Sequence, residues 1–150
     1  MGTAGPMRVT PKPTDGGSPD GHLRLSLEQS ESWACQAKID GHRTLWDGMA
    51  LWTRMGTRLD TEIELAGMPA MDCELRFGVL YAFDLPRHGG TLIERWTELA
   101  ALELPLGVRL VPTGTWADAL VADWEGVVYK RLGSRYPTRP VTREWVKFRK

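Results

Sequence analysis

Two Asp-Gly dipeptides, Asp40-Gly41 and Asp47-Gly48, lie seven residues apart between apolar runs of the chain. Asp-Gly tolerates the positive φ angles of tight turns, so each dipeptide is a candidate turn between short strands. The run WACQAKI ends just before the first dipeptide, and RTLWDGMALWTRMG spans the second. We therefore expect one strand before Asp40 and one strand on each side of Asp47-Gly48.

Short strand patterns also dominate the rest of the chain. HLRLSLE, from His22 to Glu28, alternates polar and apolar residues and predicts a half-buried strand. AMDCELRFGVLYAFDL predicts a strand pair broken near Gly78, and GVRLVP, EGVVYKRL and REWVKFRK predict further strands. GTLIERWTELAALEL has helical periodicity, with Thr91 as N-cap and Glu94 closing a capping box, and TWADALVADW predicts a second, short helix. The fold class expected is α+β, built on antiparallel sheet.

The chain length of 150 residues and the composition indicate one domain. Residues 1–21 are rich in Pro and Gly and nearly free of apolar side chains, so we expect a flexible N-terminal arm there. Residues 22–150 form the expected domain. No stretch approaches the roughly 18 to 20 apolar residues of a membrane span, and the N-terminus lacks a secretion signal. These features predict a cytoplasmic protein with no membrane contact.

Cysteine and histidine residues argue against a structural zinc site. Cys35 and Cys73 are far apart in sequence, and the three histidines show no ligand spacing. In a cytosolic compartment the two thiols are expected to be reduced and packed in or near strands.

Charge is balanced overall but concentrated at one end of the chain. The sequence has 19 basic and 19 acidic side chains, which argues against a generic nucleic-acid coat. From Tyr129 to Lys150, however, eight basic residues accompany one acid, and aromatic residues lie between them. This pattern fits either a solvated tail or a phosphate-facing surface anchored to a core.

KIDGHR, from Lys38 to Arg43, has the pattern Lys-x-Asp-Gly-x-Arg. Alone it fits either a turn with exposed charges or a nucleophilic lysine at a nucleotide pocket. Five further motifs follow in order: LWTRMGTRL, AMDCEL, LYAFDL, EGVVYK and REWVKFRK. The ordered series resembles the nucleotidyltransferase (adenylation) domain of ATP-dependent DNA ligases, within the covalent nucleotidyltransferase superfamily. LWTRMGTRL is most similar to ligases associated with bacterial end joining. The resemblance implies a compact, ATP-grasp-like nucleotidyltransferase core of antiparallel sheets with few helices.

The resemblance implies covalent catalysis by Lys38. A lysine amine attacks the α-phosphate of ATP, releases pyrophosphate and holds AMP as a phosphoramidate. A free lysine, with a pKa of about 10.4, is almost entirely protonated at neutral pH, so the site must favour the neutral amine. Lys130 and Lys147 would do so through like charge, and both would offset charge on the α-phosphate. Without the neighbouring EGVV, an exposed strand lysine would be the favoured interpretation of Lys130.

The resemblance also assigns roles to residues around the nucleotide. Arg43 and Arg54 would contact the ribose or the 5′-phosphate of a nick, which suits a bidentate guanidinium. Glu74 would accept a hydrogen bond from the ribose, and Phe83 would stack on adenine or else be a core aromatic. The remaining assignments are one carboxylate ligand of Mg²⁺ or Mn²⁺, Glu125, and two supporting residues of the lysine loop, Asp40 and Gly41. Asp40 would support either the loop or a metal-bound water.

Several positions depart from the family pattern. Cys73 replaces the usual glycine of the third motif, so that strand is expected to sit differently. Gln36 replaces a frequent glutamate and would read the adenine amino group through its carbonyl oxygen. Glu74 and Phe83 are only nine positions apart, where the family inserts a longer segment. After WVKFRK no sequence remains for the OB-fold domain that follows in a ligase, so we expect a minimal form without it.

The expected partners are ATP with a divalent cation and nicked duplex DNA, with RNA not excluded. A protein partner that supplies the function of the OB-fold is a further expectation. Two alternatives to a ligase stay open: a capping-type guanylyltransferase, and a non-catalytic nucleotide- or nucleic-acid-binding domain of the same fold.

Overall fold

The structure is a computed structural model, and it describes residues 8–11, 19–138 and 141–150. Within these residues the strands are β1 (Arg8–Pro11), β2 (Trp33–Lys38), β3 (His42–Trp46), β4 (Leu51–Thr53), β5 (Arg58–Leu59), β6 (Met71–Arg76), β7 (Val79–Asp84), β8 (Val108–Leu110), β9 (Gly126–Arg131) and β10 (Val141–Arg149). The helices are α1 (Pro19–Gln29), α2 (Leu92–Ala101) and α3 (Trp116–Val121).

The strands form two sheets that are mostly antiparallel. A four-stranded sheet has the order β1-β10-β9-β2, and a six-stranded sheet has the order β5-β4-β3-β6-β7-β8. Only the pairs β1–β10 and β7–β8 are parallel among the strands that the structure describes. The predicted α+β class, with antiparallel sheets and few helices, is confirmed.

The two Asp-Gly dipeptides serve different purposes. Asp47-Gly48 closes the β3–β4 hairpin, where Gly48 has a φ of 96°. The Asp47 carboxylate accepts hydrogen bonds from the backbone amides of Met49 and Ala50. Asp40-Gly41 instead connects β2 of one sheet to β3 of the other. Gly41 is required there by close approach, because a Cβ would lie 2.3 Å from the carbonyl oxygen of Leu75.

Two predictions at the N-terminal end are wrong. HLRLSLE belongs to helix α1 and not to a strand, because Leu23 and Leu27 are also spaced for one helical face and pack into a core with Val127 and Phe148. Residues 8–11 of the predicted flexible arm form β1, since backbone pairing along the edge of β10 needs no apolar side chains. Residues 1–7 and 12–18 of that arm lie outside the described residues.

Helix α2 has the predicted capping box of Thr91 and Glu94. Its Arg95 side chain is fully buried and pairs with the buried Asp84 at the end of β7, with Nε–Oδ1 and Nη2–Oδ2 distances of 2.6 and 3.1 Å. Arg95 Nη1 also donates to the carbonyl oxygens of Gly90 and Ser134, both at 2.9 Å. These contacts fix the helix against the six-stranded sheet and against the segment that follows β9.

Candidate active site

A cavity of about 960 Å³ lies between the two sheets. All eleven site residues expected from the sequence line it: Gln36, Lys38, Asp40, Gly41, Arg43, Arg54, Glu74, Phe83, Glu125, Lys130 and Lys147. The structure therefore brings the separate motifs to one place.

Strand register places the cationic side chains on one face of the four-stranded sheet. Lys38 on β2 and Arg149 on β10 both pair with Gly126 of the central strand β9. One row further along, Gln36 and Lys147 both pair with Val128. Residues in register point to the same side of a sheet, so the cavity floor carries a double row of polar groups.

Lys38 ends β2 and forms an ion pair with Glu125. Its Nζ lies 2.5 Å from Glu125 Oε2, and the two side chains are 19% and 26% exposed. Glu125 Oε1 also lies 3.3 Å from Arg149 Nε. The absence of a side chain at Gly126 lets β10 approach β9 closely, because a Cβ there would lie 2.0 Å from the carbonyl oxygen of Phe148.

Lys147 lies beside this ion pair at the cavity wall. Burial lowers its pKa, and the charges of Lys38 and Arg149 lower it further, whereas Glu125 acts in the opposite direction. The Lys147 amine therefore lies among the like charges of Lys38 and Arg149.

Lys130 is buried, contrary to the alternative of an exposed strand lysine. Only 2% of the residue is exposed, and burial lowers its pKa to about 7. Its Nζ donates to Gln36 Oε1 at 2.7 Å and lies 4.5 Å and 4.0 Å from the ring centroids of Phe83 and Trp145. Gln36 Oε1, which the sequence assigned to the adenine amino group, is thus occupied by Lys130.

Arg43 is also paired within the protein. It donates to both carboxylate oxygens of the buried Asp72, at 3.1 and 2.6 Å, and its guanidinium lies 5.1 Å from the Phe83 ring centroid. Burial alone would lower the pKa of Arg43, but the charge and hydrogen bonds of Asp72 raise it. Asp72 additionally accepts a hydrogen bond from the Tyr136 hydroxyl at 2.6 Å. Arg43 therefore fixes the cavity wall, and its expected contact with ribose or phosphate stays a prediction.

Glu74 on β6 and Phe83 on β7 line the cavity from the six-stranded sheet. Glu74 accepts a hydrogen bond from the Gly41 amide at 3.1 Å, and burial raises the pKa of its carboxyl against the opposing charges of Lys38 and Arg43. Phe83 is half-buried and packs edge-on against Trp145, with ring centroids 6.3 Å apart. Both side chains keep part of their surface toward the cavity.

Arg54 and Asp40 lie at the cavity mouth and are exposed. Neither forms an ion pair within the residues that the structure describes. No group of three acidic, histidine or cysteine side chains with metal-ligand geometry occurs in ranges 8–11, 19–138 and 141–150.

Sequence reasoning missed four residues of the site: Asp72, Tyr136, Trp145 and Arg149. Alternation in REWVKFRK would have found two of them, since Trp145, Lys147 and Arg149 occupy one face of β10. Trp145 is fully buried, and its Nε1 has no hydrogen-bond partner in the described part of the chain.

The Cys73 departure leaves the site intact. Cys73 is fully buried in the core on the other side of β6, with Trp46 and Leu80. Strand β6 keeps an unbroken register with β3, in which Arg43 pairs with Glu74. Its register with β7, by contrast, shifts between Asp72 and Cys73. The expectation that the third-motif strand sits differently stays a prediction, although the cysteine points away from the cavity.

Comparison with solved structures identifies the fold. The chain matches a Lig E DNA ligase, described as binding DNA with a minimal scaffold, at a TM-score of 0.74 and 18% identity over 97% of this chain and 68% of that chain. It matches the ligase domain of M. tuberculosis LigD at 0.69 and 21% identity, over 97% of this chain and 59% of that chain. A mycobacterial DNA ligase D complexed with ATP and MES matches at 0.70 and 22% identity, over 97% and 60% of the respective chains.

No family model matches the sequence, and no curated protein matches it. The structural likeness confirms the predicted fold, that of the nucleotidyltransferase domains of ATP-dependent DNA ligases. The chain spans about 60% of the length of the LigD structures that it matches. No helix that the structure describes is long and apolar enough to cross a membrane.

Proposed function

We propose that the chain is the core of an ATP-dependent polynucleotide ligase, in which Lys38 takes AMP from ATP and passes it to the 5′-phosphate of a DNA nick. The observation that carries the proposal is the lysine face of the four-stranded sheet. Lys38 and Arg149 form ion pairs there with Glu125, and Lys147 lies on the same face, across the cavity from Glu74 and Phe83.

The cavity suits a nucleoside triphosphate in size and charge. Its volume of about 960 Å³ lies at the upper end of the range of about 300–1,000 Å³ for small-molecule sites. Six Lys and Arg side chains line it against three Asp and Glu side chains, so an anionic ligand is favoured. Phe83, Val111 and Val128 offer apolar surface for a base.

The roles inferred from the sequence fit this arrangement. Phe83 would contact the adenine ring, Glu74 would accept a hydrogen bond from a ribose hydroxyl, and Lys147 would face the phosphates. Arg149 joins Lys147 as a phosphate ligand in this proposal, because it points from the same strand face. Lys130 and Gln36 would bound the base end of the cavity as a hydrogen-bonded pair.

The first chemical step follows from the position of Lys38. Its neutral amine attacks the α-phosphorus, a P–N bond forms, and the bond to the leaving pyrophosphate oxygen breaks. Lys147 and Arg149 offset the negative charge that develops on the phosphate oxygens. Asp40 and Gly41 hold the loop after Lys38, where the close contact of Gly41 with Leu75 sets the path of the chain.

Glu125 is the residue that would hold Mg²⁺ or Mn²⁺. Magnesium is commonly bound by one or two carboxylates together with substrate phosphates, so a single carboxylate beside a phosphate site fits this ion better than a preformed cage would. The cation, when bound, supplies positive charge to the phosphates. Glu125 already lies next to the lysine that would react, at 2.5 Å.

The later steps need nucleic acid at the cavity mouth. AMP on Lys38 would pass to a 5′-phosphate, and a 3′-hydroxyl would then displace it and seal the nick. Arg54, exposed at the mouth, is the proposed contact for the 5′-phosphate. A second protein that clamps the duplex in the manner of an OB-fold domain would complete the assembly. We place the activity in the cytoplasm, where ATP is abundant and free thiols such as Cys35 and Cys73 persist.

Labelling with [α-³²P]ATP and magnesium tests the proposal. Wild-type protein is expected to retain the label through denaturing electrophoresis, and Lys38→Ala and Lys38→Arg are expected to lose it. Circular dichroism of both variants checks that the fold is kept. Equal labelling of wild type and Lys38→Ala would refute covalent catalysis by Lys38.

The same assay separates the alternatives. Stronger labelling by GTP than by ATP would indicate a guanylyltransferase. A mobility shift with nicked duplex at two salt concentrations, in a protein that takes no label, would indicate a binding domain without the reaction. Chase of the labelled protein with nicked duplex then tests transfer of AMP to the 5′-phosphate.

A further inference from the structure

The hairpin of β6 and β7 presents an aromatic side chain to solvent at its tip. Phe77 is 92% exposed, and its backbone φ is 48°, followed by Gly78 with a φ of 77°. Phe77 is the only residue other than glycine with positive φ among the described residues. A bulky side chain is disfavoured in this region, where Asn or Gly is the usual choice. Neither folding nor solubility explains a phenylalanine at this position.

The tip is held in a defined position near the cavity. The guanidinium carbon of Arg76 lies 5.1 Å from the Phe77 ring centroid, and Arg76 also forms an ion pair with Asp123 at 3.5 Å. The tip end of the hairpin packs against the loop after Lys38, since a Cβ at Gly41 would lie 3.2 Å from the Cβ of Arg76. The hairpin tip that carries Phe77 therefore packs against the loop that follows Lys38.

Strand geometry sets the distance between the tip and the site. Glu74, which lines the cavity, precedes Phe77 by three residues. At about 3.3 Å per residue of extended strand, the Cα of Phe77 lies at most about 10 Å from that of Glu74. This span equals about three nucleotide steps of a stacked strand, at about 3.4 Å each.

We propose that Phe77 is a stacking platform for a nucleobase within about three nucleotides of the strand end bound at the cavity. One ring face is exposed to receive a base, and the adjacent Arg76 supplies a cation for the backbone. The inference rests on the proposed function, because it requires nucleic acid at the cavity mouth.

Binding of nicked duplex DNA to four proteins tests the inference: wild type, Phe77→Asn, Phe77→Trp and Met49→Asn. Asn accepts the left-handed backbone but removes the ring, and Trp keeps an aromatic surface. Met49 is the matched control, because it is 85% exposed at the β3–β4 turn, at the end of β3 away from Gly41. Phe77→Asn is expected to bind about 5- to 100-fold more weakly, the loss typical of removing one stacking aromatic. Phe77→Trp and Met49→Asn are expected to bind within about two-fold of wild type.

A fluorescent base analogue placed one to three nucleotides from the nick supplies a second measurement. Its emission is expected to be quenched by wild type and not by Phe77→Asn. The inference would be overturned if Phe77→Asn bound DNA as tightly as wild type, or if all four proteins failed to bind nucleic acid. If Phe77→Asn bound DNA normally but failed to bind another protein, the tip would be a protein contact, which also overturns it. Loss of ATP labelling in wild type, by contrast, rejects the proposed reaction and leaves these binding results to be judged alone.

Discussion

Replacement of Lys130 by methionine should change how the stability of the protein depends on pH. Methionine keeps the length and apolar stem of the lysine but cannot carry charge. In the unfolded chain the Lys130 amine holds its proton up to a pH of about 10.5, whereas burial lowers the pKa in the folded protein to about 7. Between these values the unfolded state binds more protons, so this lysine makes stability rise with pH.

The size of the effect follows from the linkage relation. One proton per molecule corresponds to a slope of about 1.4 kcal/mol per pH unit, and the slope is close to this limit above the folded pKa. From pH 7 to pH 8.5, wild-type protein should therefore gain about 2 kcal/mol from Lys130. The window ends at 8.5 because burial raises the pKa of Cys35 to about 12, which makes stability fall with pH above about 9.

Urea unfolding at pH 7.0 and 8.5, followed by tryptophan fluorescence, measures the difference. The Lys130→Met variant should lose about 2 kcal/mol of the rise seen in wild type, while exposed Lys150→Met should keep it. The loss of the hydrogen bond to Gln36 and of the aromatic contacts is the same at both pH values, so it changes the absolute stability and not the difference. Lys147, whose pKa is also lowered, contributes equally to both proteins. Equal pH dependence in wild type and Lys130→Met would refute the account of Lys130 as a buried, titrating cation.

Three further substitutions test other parts of the structure. Gly41→Ala should abolish ATP labelling while circular dichroism stays native, because its Cβ would lie 2.3 Å from the carbonyl oxygen of Leu75 and displace the loop after Lys38; undiminished labelling would contradict this close contact. Arg95→Met should lower the free energy of unfolding by about 3–5 kcal/mol, since it leaves Asp84 as an unpaired buried charge; urea unfolding measures this, and a loss below about 1 kcal/mol would be too small for a buried pair. Phe77→Asn should raise stability by about 1 kcal/mol through relief of the positive φ, seen as a higher melting temperature, and a lower one would argue against backbone strain there.

Local signals in the sequence were sufficient for most strands and for helix α2. Asp47-Gly48 and Gly78 mark turns through a backbone preference that needs no distant partner, and Thr91 with Glu94 forms a cap within one helical turn. The run from His22 to Glu28 was ambiguous because Leu23 and Leu27 satisfy both the strand and the helix period. Contact with β9 and β10 decides between the two, and that contact cannot be seen in the run itself.

The same distinction applies to the candidate site. The ordered motifs indicated which residues line the cavity, but the pairs among those residues depend on how the sheets meet. Arg43 reaches Asp72 diagonally on the neighbouring strand β6, and Lys130 reaches Gln36 on the neighbouring strand β2. These pairs fix the positions of the side chains in the cavity wall. The sequence shows the charge of a residue and not the groups that satisfy it, so it did not indicate these pairs.

The central claim is that Lys38 is the residue that becomes linked to AMP. Peptide mass spectrometry after incubation with ATP and magnesium tests it most directly, since it locates the adduct without any DNA substrate. The account predicts an AMP adduct on the peptide that contains Lys38, absent in Lys38→Arg. An adduct on Lys147 in place of Lys38, or no adduct on any lysine, would contradict it.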